Sequence, residues 1–201
     1  MLLKRRPPAI STEAPELLAG FEHLEPSAIA VLRWLNENKI DYVLVGPVAR
    51  AIRGEAGATG PVGIVPAPYG RNWERLCTAL IAERAGLRGE QSVRGSGATP
   101  VATPVKLTAE KLARGRRWLL RCGNHDLDIE GLPLPEGQSA DESAPGYQEL
   151  LYEAGRFEVA EGVSIEVAAP EDLEHYSHVR RTGTAPEFRV MRNSPAEQHT
   201  A

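Results

Sequence analysis

The stretch with the densest chemistry is His125-Asp126-Leu127-Asp128-Ile129-Glu130. Its apolar and acidic residues alternate with the period of a β-strand, so Leu127 and Ile129 point one way and Asp126, Asp128 and Glu130 the other. Three aligned carboxylates make an oxygen-only donor set for a hard divalent cation, or place a general base. The same pattern describes a solvent-facing strand near a sheet edge, where charge deters aggregation. Asp126 and Asp128 are the candidate catalytic and metal-ligating residues. His175 and His178 lie three apart but lack a third ligand and a His-Glu-x-x-His arrangement, so they read as surface or packing histidines. Cys77 and Cys122, far apart and without a CxxC pairing, read as core thiols rather than zinc ligands or a disulfide.

These residues need elements to position them. Arg116 to Cys122 reads as a strand, Gly123-Asn124 as a hairpin turn, and the acidic stretch as the return strand. A second organising stretch is 40–65, IDYVLVGPVARAIRGEAGATGPVGIV. Ile40 and Tyr42 to Val45 form a buried strand. Gly46-Pro47 turns into a helix over Val48 to Ile52, which Gly54 stops, and a further strand follows from the loop at Ala58 to Gly60. A helix N-terminus directly after a strand presents free N–H groups and a positive dipole end, a natural place for phosphate; an ordinary strand-to-helix turn has the same sequence. Gly46, Pro47 and Arg50 are the candidate nucleotide-contacting residues.

In this order, VLVGPVARAIRG, then ATGPVGIVPAP, then an amphipathic helix, the chain resembles the core of the nucleotidyltransferase fold. The similar branch is the small bacterial one that includes minimal nucleotidyltransferases and some toxin-antitoxin and abortive-infection enzymes. The resemblance implies an α/β fold, a nucleotidyltransferase-like mixed β-sheet with flanking helices, and, in an active member, Mg²⁺ and a nucleotide. In that family the first strand ends in Gly-Gly or Gly-Ser and the next carries Asp-x-Asp. Residues i and i+2 of a strand share a face, so that pair holds the metal ions that stabilise phosphoryl displacement. Here those positions are Gly46-Pro47 and Pro61-Val62-Gly63, which offer no side-chain oxygen. The third family carboxylate matches Asp128. Ala168 to Leu173 match the family's closing strand and helix, whereas Thr184 to Glu187 stand where it has a basic segment, with Arg180 and Arg181 upstream.

The resemblance, over about residues 27–188, therefore implies a catalytically degenerate protein with a binding, regulatory or scaffold role, holding a nucleotide, a partner protein or RNA. The alternative is an active metal-dependent enzyme that rebuilds the site from Asp126, Asp128 and Glu55. A third is an interaction module with its cleft filled by its own loop.

The remaining residues frame this domain. The 201-residue chain, 42% hydrophobic and 25% charged, fits one soluble domain over 26–190, with a flexible segment at 1–25 and a tail at 191–201. It has no apolar run long enough to span a bilayer and MLLKRRPPAI is a poor signal peptide, so the expected location is cytoplasmic. A balance of 23 basic against 27 acidic residues gives no general attraction for nucleic acid. Ser27 is expected to cap a helix carrying Ile29, Leu32 and Leu35. Trp73, Leu76, Cys77, Leu80 and Ile81 form the apolar stripe of another, with Arg71, Arg75 and Arg84 toward its polar side. Loops are expected over 88–104 and 132–146, short helices over 108–112 and 147–154, a hairpin from Phe157 to Ala168, and a last helix starting at Pro170.

Overall fold

The computed structural model describes residues 6–13, 15–88, 103–114, 117–130 and 145–181. The chain is α/β, as expected. The helices are α1 (Pro26–Glu37), α2 (Gly46–Ile52), α3 (Gly70–Ala82), α4 (Ala109–Arg114), α5 (Tyr147–Glu153) and α6 (Pro170–Arg181). The strands are β1 (Tyr42–Val45), β2 (Val62–Pro66), β3 (Gly86–Leu87), β4 (Thr103–Pro104), β5 (Trp118–Cys122), β6 (His125–Ile129), β7 (Gly155–Ala160) and β8 (Val163–Val167). They form one mixed sheet in the order β4-β3-β5-β6-β2-β1-β8-β7.

The sheet is centred on the two stretches read as organising. β1 and β2 run antiparallel with Val45 opposite Gly63, and β2 runs parallel to β6 with Gly63 opposite Asp128. All four residues of β1 and all five of β2 are buried, which accounts for their continuous rather than alternating apolar character. β5 and β6 form the expected hairpin across Gly123-Asn124, where Gly123 takes φ 60, a left-handed conformation open to glycine without steric cost. β6 is flanked by β5 and β2, so the expectation of a strand near the sheet edge is corrected: the acidic strand is interior.

Three local expectations also change. α1 begins at Pro26 with Glu25 at the N-cap position and no side-chain cap bond, so Ser27 lies inside the helix rather than capping it. Proline suits that first turn because it has no N–H to leave unpaired. In α3 the stripe Trp73, Leu76, Cys77 and Leu80 is buried as expected, but Ile81 is 56% exposed and Ala79 takes its place in the core. Thr103–Pro104, expected as loop, pairs with Gly86–Leu87 at the sheet margin. Asn72 of α3, wholly buried, clamps the entry to β1: its side chain accepts from the Asp41 N–H (2.9 Å) and donates to the carbonyls of Asp41 (2.8 Å) and Ala67 (3.1 Å).

The N-terminal residues expected to be flexible pack on this frame over 6–13 and 15–25. The Pro8 carbonyl accepts from Trp34 Nε1 and Asn38 Nδ2, Leu18 N–H donates to the Val159 carbonyl at the outer edge of β7, and Leu24 is buried. The tail from 182, the loops at 89–102 and 131–144, and the side chains of His175, His178, Arg180 and Arg181 lie outside the described residues. No described helix is long and apolar enough to cross a membrane.

Candidate functional site

The face of β6 that carries the acids faces side chains from both strands on its β5 side. The Gly123-Asn124 turn sets Arg121 opposite Asp126 and Leu119 opposite Asp128; one step beyond Trp118 and Ile129, Arg117 meets Glu130. Arg88, just past β3, donates its backbone N–H to the Leu119 carbonyl at 2.9 Å, and its side chain crosses to β6. Arg121 holds Asp126 through two bonds of 2.8 and 3.0 Å. Arg88 reaches Asp126 at 2.9 Å and Asp128 Oδ1 at 2.8 Å. Arg117 Nη2 lies 3.3 Å from Asp128 Oδ2 and 3.6 Å from Glu130.

Two of the three acids are therefore shielded from solvent, a second correction to the strand-edge reading: Asp128 is 1% exposed and Glu130 3%, while the Asp126 side chain keeps 26% exposure. Burying bare carboxylates costs several kcal/mol each, and it is tolerated where charge-assisted hydrogen bonds replace water. Burial alone raises the Asp126 carboxyl, but the bonds from Arg121 and Arg88 outweigh it and hold the group below its ordinary value of 3.8. Since a depressed carboxyl stabilises the fold only while ionised, its contribution is complete above the ordinary value and disappears as pH falls through the native one. The melting-temperature gap between wild type and Asp126→Asn is thus expected to be full at pH 7 and to close below about pH 4, as a pH series of thermal melts would show.

The other sequence candidates lie along the same row of the sheet. Val45, Gly63 and Asp128 sit on three adjacent strands in register, so Gly46 follows at roughly 10 Å from the acidic strand, two strand spacings away. Gly46 opens α2 with φ 73, a conformation that favours glycine, and Pro47 occupies its first turn. α2 is only seven residues long. Arg50 is engaged elsewhere: Nη1 pairs with Glu55 at 2.7 Å, and Nη2 donates to the Leu173 carbonyl at 2.9 Å, tying α2 to α6. Glu55 thus serves Arg50.

Gly63 stands where the resemblance would place a carboxylate. A Cβ there would meet the Val45 carbonyl oxygen at 3.0 Å and Glu130 Oε1 at 3.4 Å. The Val45 backbone sets the tight limit there, and the Glu130 carboxylate, from the neighbouring strand, lies at contact distance beside it. The residues present therefore do not fit the Mg²⁺ arrangement that the resemblance implies. Positions 61 and 63 have no donor, and guanidinium groups hold Asp126 and Asp128. Among the described residues no three His, Cys, Asp or Glu side chains converge on a point that could hold a metal ion.

A cleft of about 350 Å³ opens beside this face, lined among others by Glu25, Ser27, Pro61, Asn124, His125 and Asp126. It lies between the start of α1 and the β5–β6 turn. Both cysteines are buried and free, as expected of core thiols, and burial pushes the Cys122 thiol up to about 12.

Sequence reasoning missed the three arginines. Arg121 was accessible to it, because a two-residue turn at Gly123-Asn124 fixes Arg121 opposite Asp126 by counting alone. Arg88 was not, since its place depends on β3 pairing with β5 more than thirty residues later. Compared with protein-family models, characterised proteins and solved structures, the chain gives no significant match.

Proposed function

We propose that this chain is a nucleotidyltransferase-like domain that does not carry out two-metal nucleotide transfer and instead binds a nucleotide or a partner protein in a regulatory role. The observation that carries this reading is the occupation of the acidic face. Each Asp128 oxygen is met by a different guanidinium, and a side chain at position 63 would press on the Val45 carbonyl oxygen. In-line phosphoryl displacement needs metal ions bridging phosphate and carboxylate oxygens. Such ions would have to displace Arg88 and Arg117 from a buried setting and would find no ligand at Pro61 or Gly63. The mixed core, with β1 antiparallel to β2 and β2 parallel to β6 around a strand-turn-helix, supports the nucleotidyltransferase-like part of the reading. The 350 Å³ cleft beside Asp126 falls in the size range of small-molecule sites and supports the binding part.

Isothermal titration with each nucleoside triphosphate, with and without Mg²⁺, joined to a transfer assay using labelled nucleotide, tests this. Binding that is independent of Mg²⁺, or no nucleotide binding with capture of a protein partner, is expected alongside zero incorporation. Mg²⁺-dependent incorporation abolished by Asp128→Asn would instead establish the enzyme built on Asp126 and Asp128.

A further inference from the structure

We infer that Arg88 and Arg117 are the permanent counter-cations of the β6 acidic face, each holding two carboxylates together as a bridging divalent ion would. The inference rests on the non-catalytic reading of the same face and supplies its physical basis. Arg88 spans Asp126 and Asp128 with its two Nη atoms at 2.9 and 2.8 Å; a single nitrogen of Arg117, Nη2, bonds Asp128 at 3.3 Å and lies within ion-pair distance of Glu130 at 3.6 Å. The order along the strand is thus acid, base, acid, base, acid, with Asp128 shared by both arginines. With Arg121 on Asp126, three guanidiniums among the described residues face the three carboxylates.

Arginine suits this work for reasons lysine does not share. Its guanidinium stays charged at every accessible pH, and its planar fork presents two N–H groups to two oxygens at once. The fork of Arg88 is also aimed in advance. Its backbone is locked across from Leu119, whose side chain carries no charge, so the guanidinium passes over Leu119 to the acids of the next strand. A divalent ion requires that its ligands be free to turn toward it; here the protein supplies the positive charge covalently, and folding itself loads the site.

The test uses the full chain and five forms: wild type, Asp128→Asn, Arg88→Gln, Arg88→Lys and the double variant Arg88→Gln/Asp128→Asn. Thermal melting is followed with Mn²⁺ and with a monovalent salt of equal ionic strength, and bound Mn²⁺ is counted by electron paramagnetic resonance. Wild type is expected to melt at the same temperature in both salts. Arg88→Gln should melt lower and recover most of the loss with Mn²⁺ alone, and the double variant should show no Mn²⁺ response. Arg88→Lys, with the charge but not the fork, should fall between wild type and Arg88→Gln. The inference is overturned by Mn²⁺ stabilising wild type in a manner that Asp128→Asn removes, or by Arg88→Gln melting lower without recovery. If Arg88→Gln does not fold, Arg88→Lys decides: melting identical to wild type would show that bridging is irrelevant. Nucleotide incorporation by wild type would overturn the proposed function while leaving this series to be read independently.

Discussion

Replacing Asp128 by alanine should destabilise the protein by about 3–5 kcal/mol, the cost of breaking a buried ionic network and leaving its arginines one carboxylate short. Asp128 is 1% exposed and is shared by two arginines that are themselves only 19% and 16% exposed, so both guanidiniums lose a carboxylate in a setting that water reaches poorly. At about 2–4 °C per kcal/mol for a chain of this size, the melting temperature should fall by roughly 6–20 °C. The comparison that gives this meaning is Glu55→Ala. Glu55 also pairs with an arginine, at 2.7 Å, but is 54% exposed, and an exposed pair is worth about 0–1 kcal/mol. A large loss at 128 beside a small one at 55 would mark the acidic face as a structural network. Equal, small losses would show that the Asp128 carboxylate is easily spared, as expected of a group kept for chemistry.

The second large effect is expected from Gly63→Asp, which places a carboxylate where the resembled family carries one. The new Cβ would press on the Val45 carbonyl oxygen at 3.0 Å, inside the β1–β2 ladder where the backbone has little room to retreat. Overpacking of this kind costs about 1–3 kcal/mol. The added charge would also lie against Glu130 with Arg88 and Arg117 already committed, so the total should exceed about 3 kcal/mol. Gly63→Ala separates the two contributions, since it carries the steric part alone. Neither variant should acquire Mg²⁺-dependent transfer. A stable Gly63→Asp protein that incorporates nucleotide would show the metal site to be one substitution away.

What the sequence disclosed and what it withheld follow from the range of the interactions involved. The β5–β6 hairpin was legible because alternation and a two-residue turn are local, and the strand-helix order at 42–52 because Gly46-Pro47 punctuates it. The place of β6 in the sheet was not, because its parallel pairing with β2 joins residues more than sixty apart. Nor was the cover of its acids legible, since Arg88 reaches Asp128 from forty residues away. Ile81 failed for a related reason: helical spacing identifies a stripe, but only the packed neighbours decide where its edge falls. The N-terminal segment is held both by apolar contacts of Ile10, Leu17, Phe21 and Leu24 and by backbone groups, with the Pro8 carbonyl accepting from Trp34 and Asn38, and composition carries no trace of such bonds.

The most direct measurement is the position of a metal. Crystals of the full chain soaked with Mn²⁺ and a non-hydrolysable nucleoside triphosphate would show manganese by anomalous scattering. A face with resident counter-cations predicts no manganese within bonding distance of Asp126 or Asp128, and Arg88 and Arg117 still seated on their carboxylates. Manganese bound to Asp128 with the two arginines swung aside would contradict it.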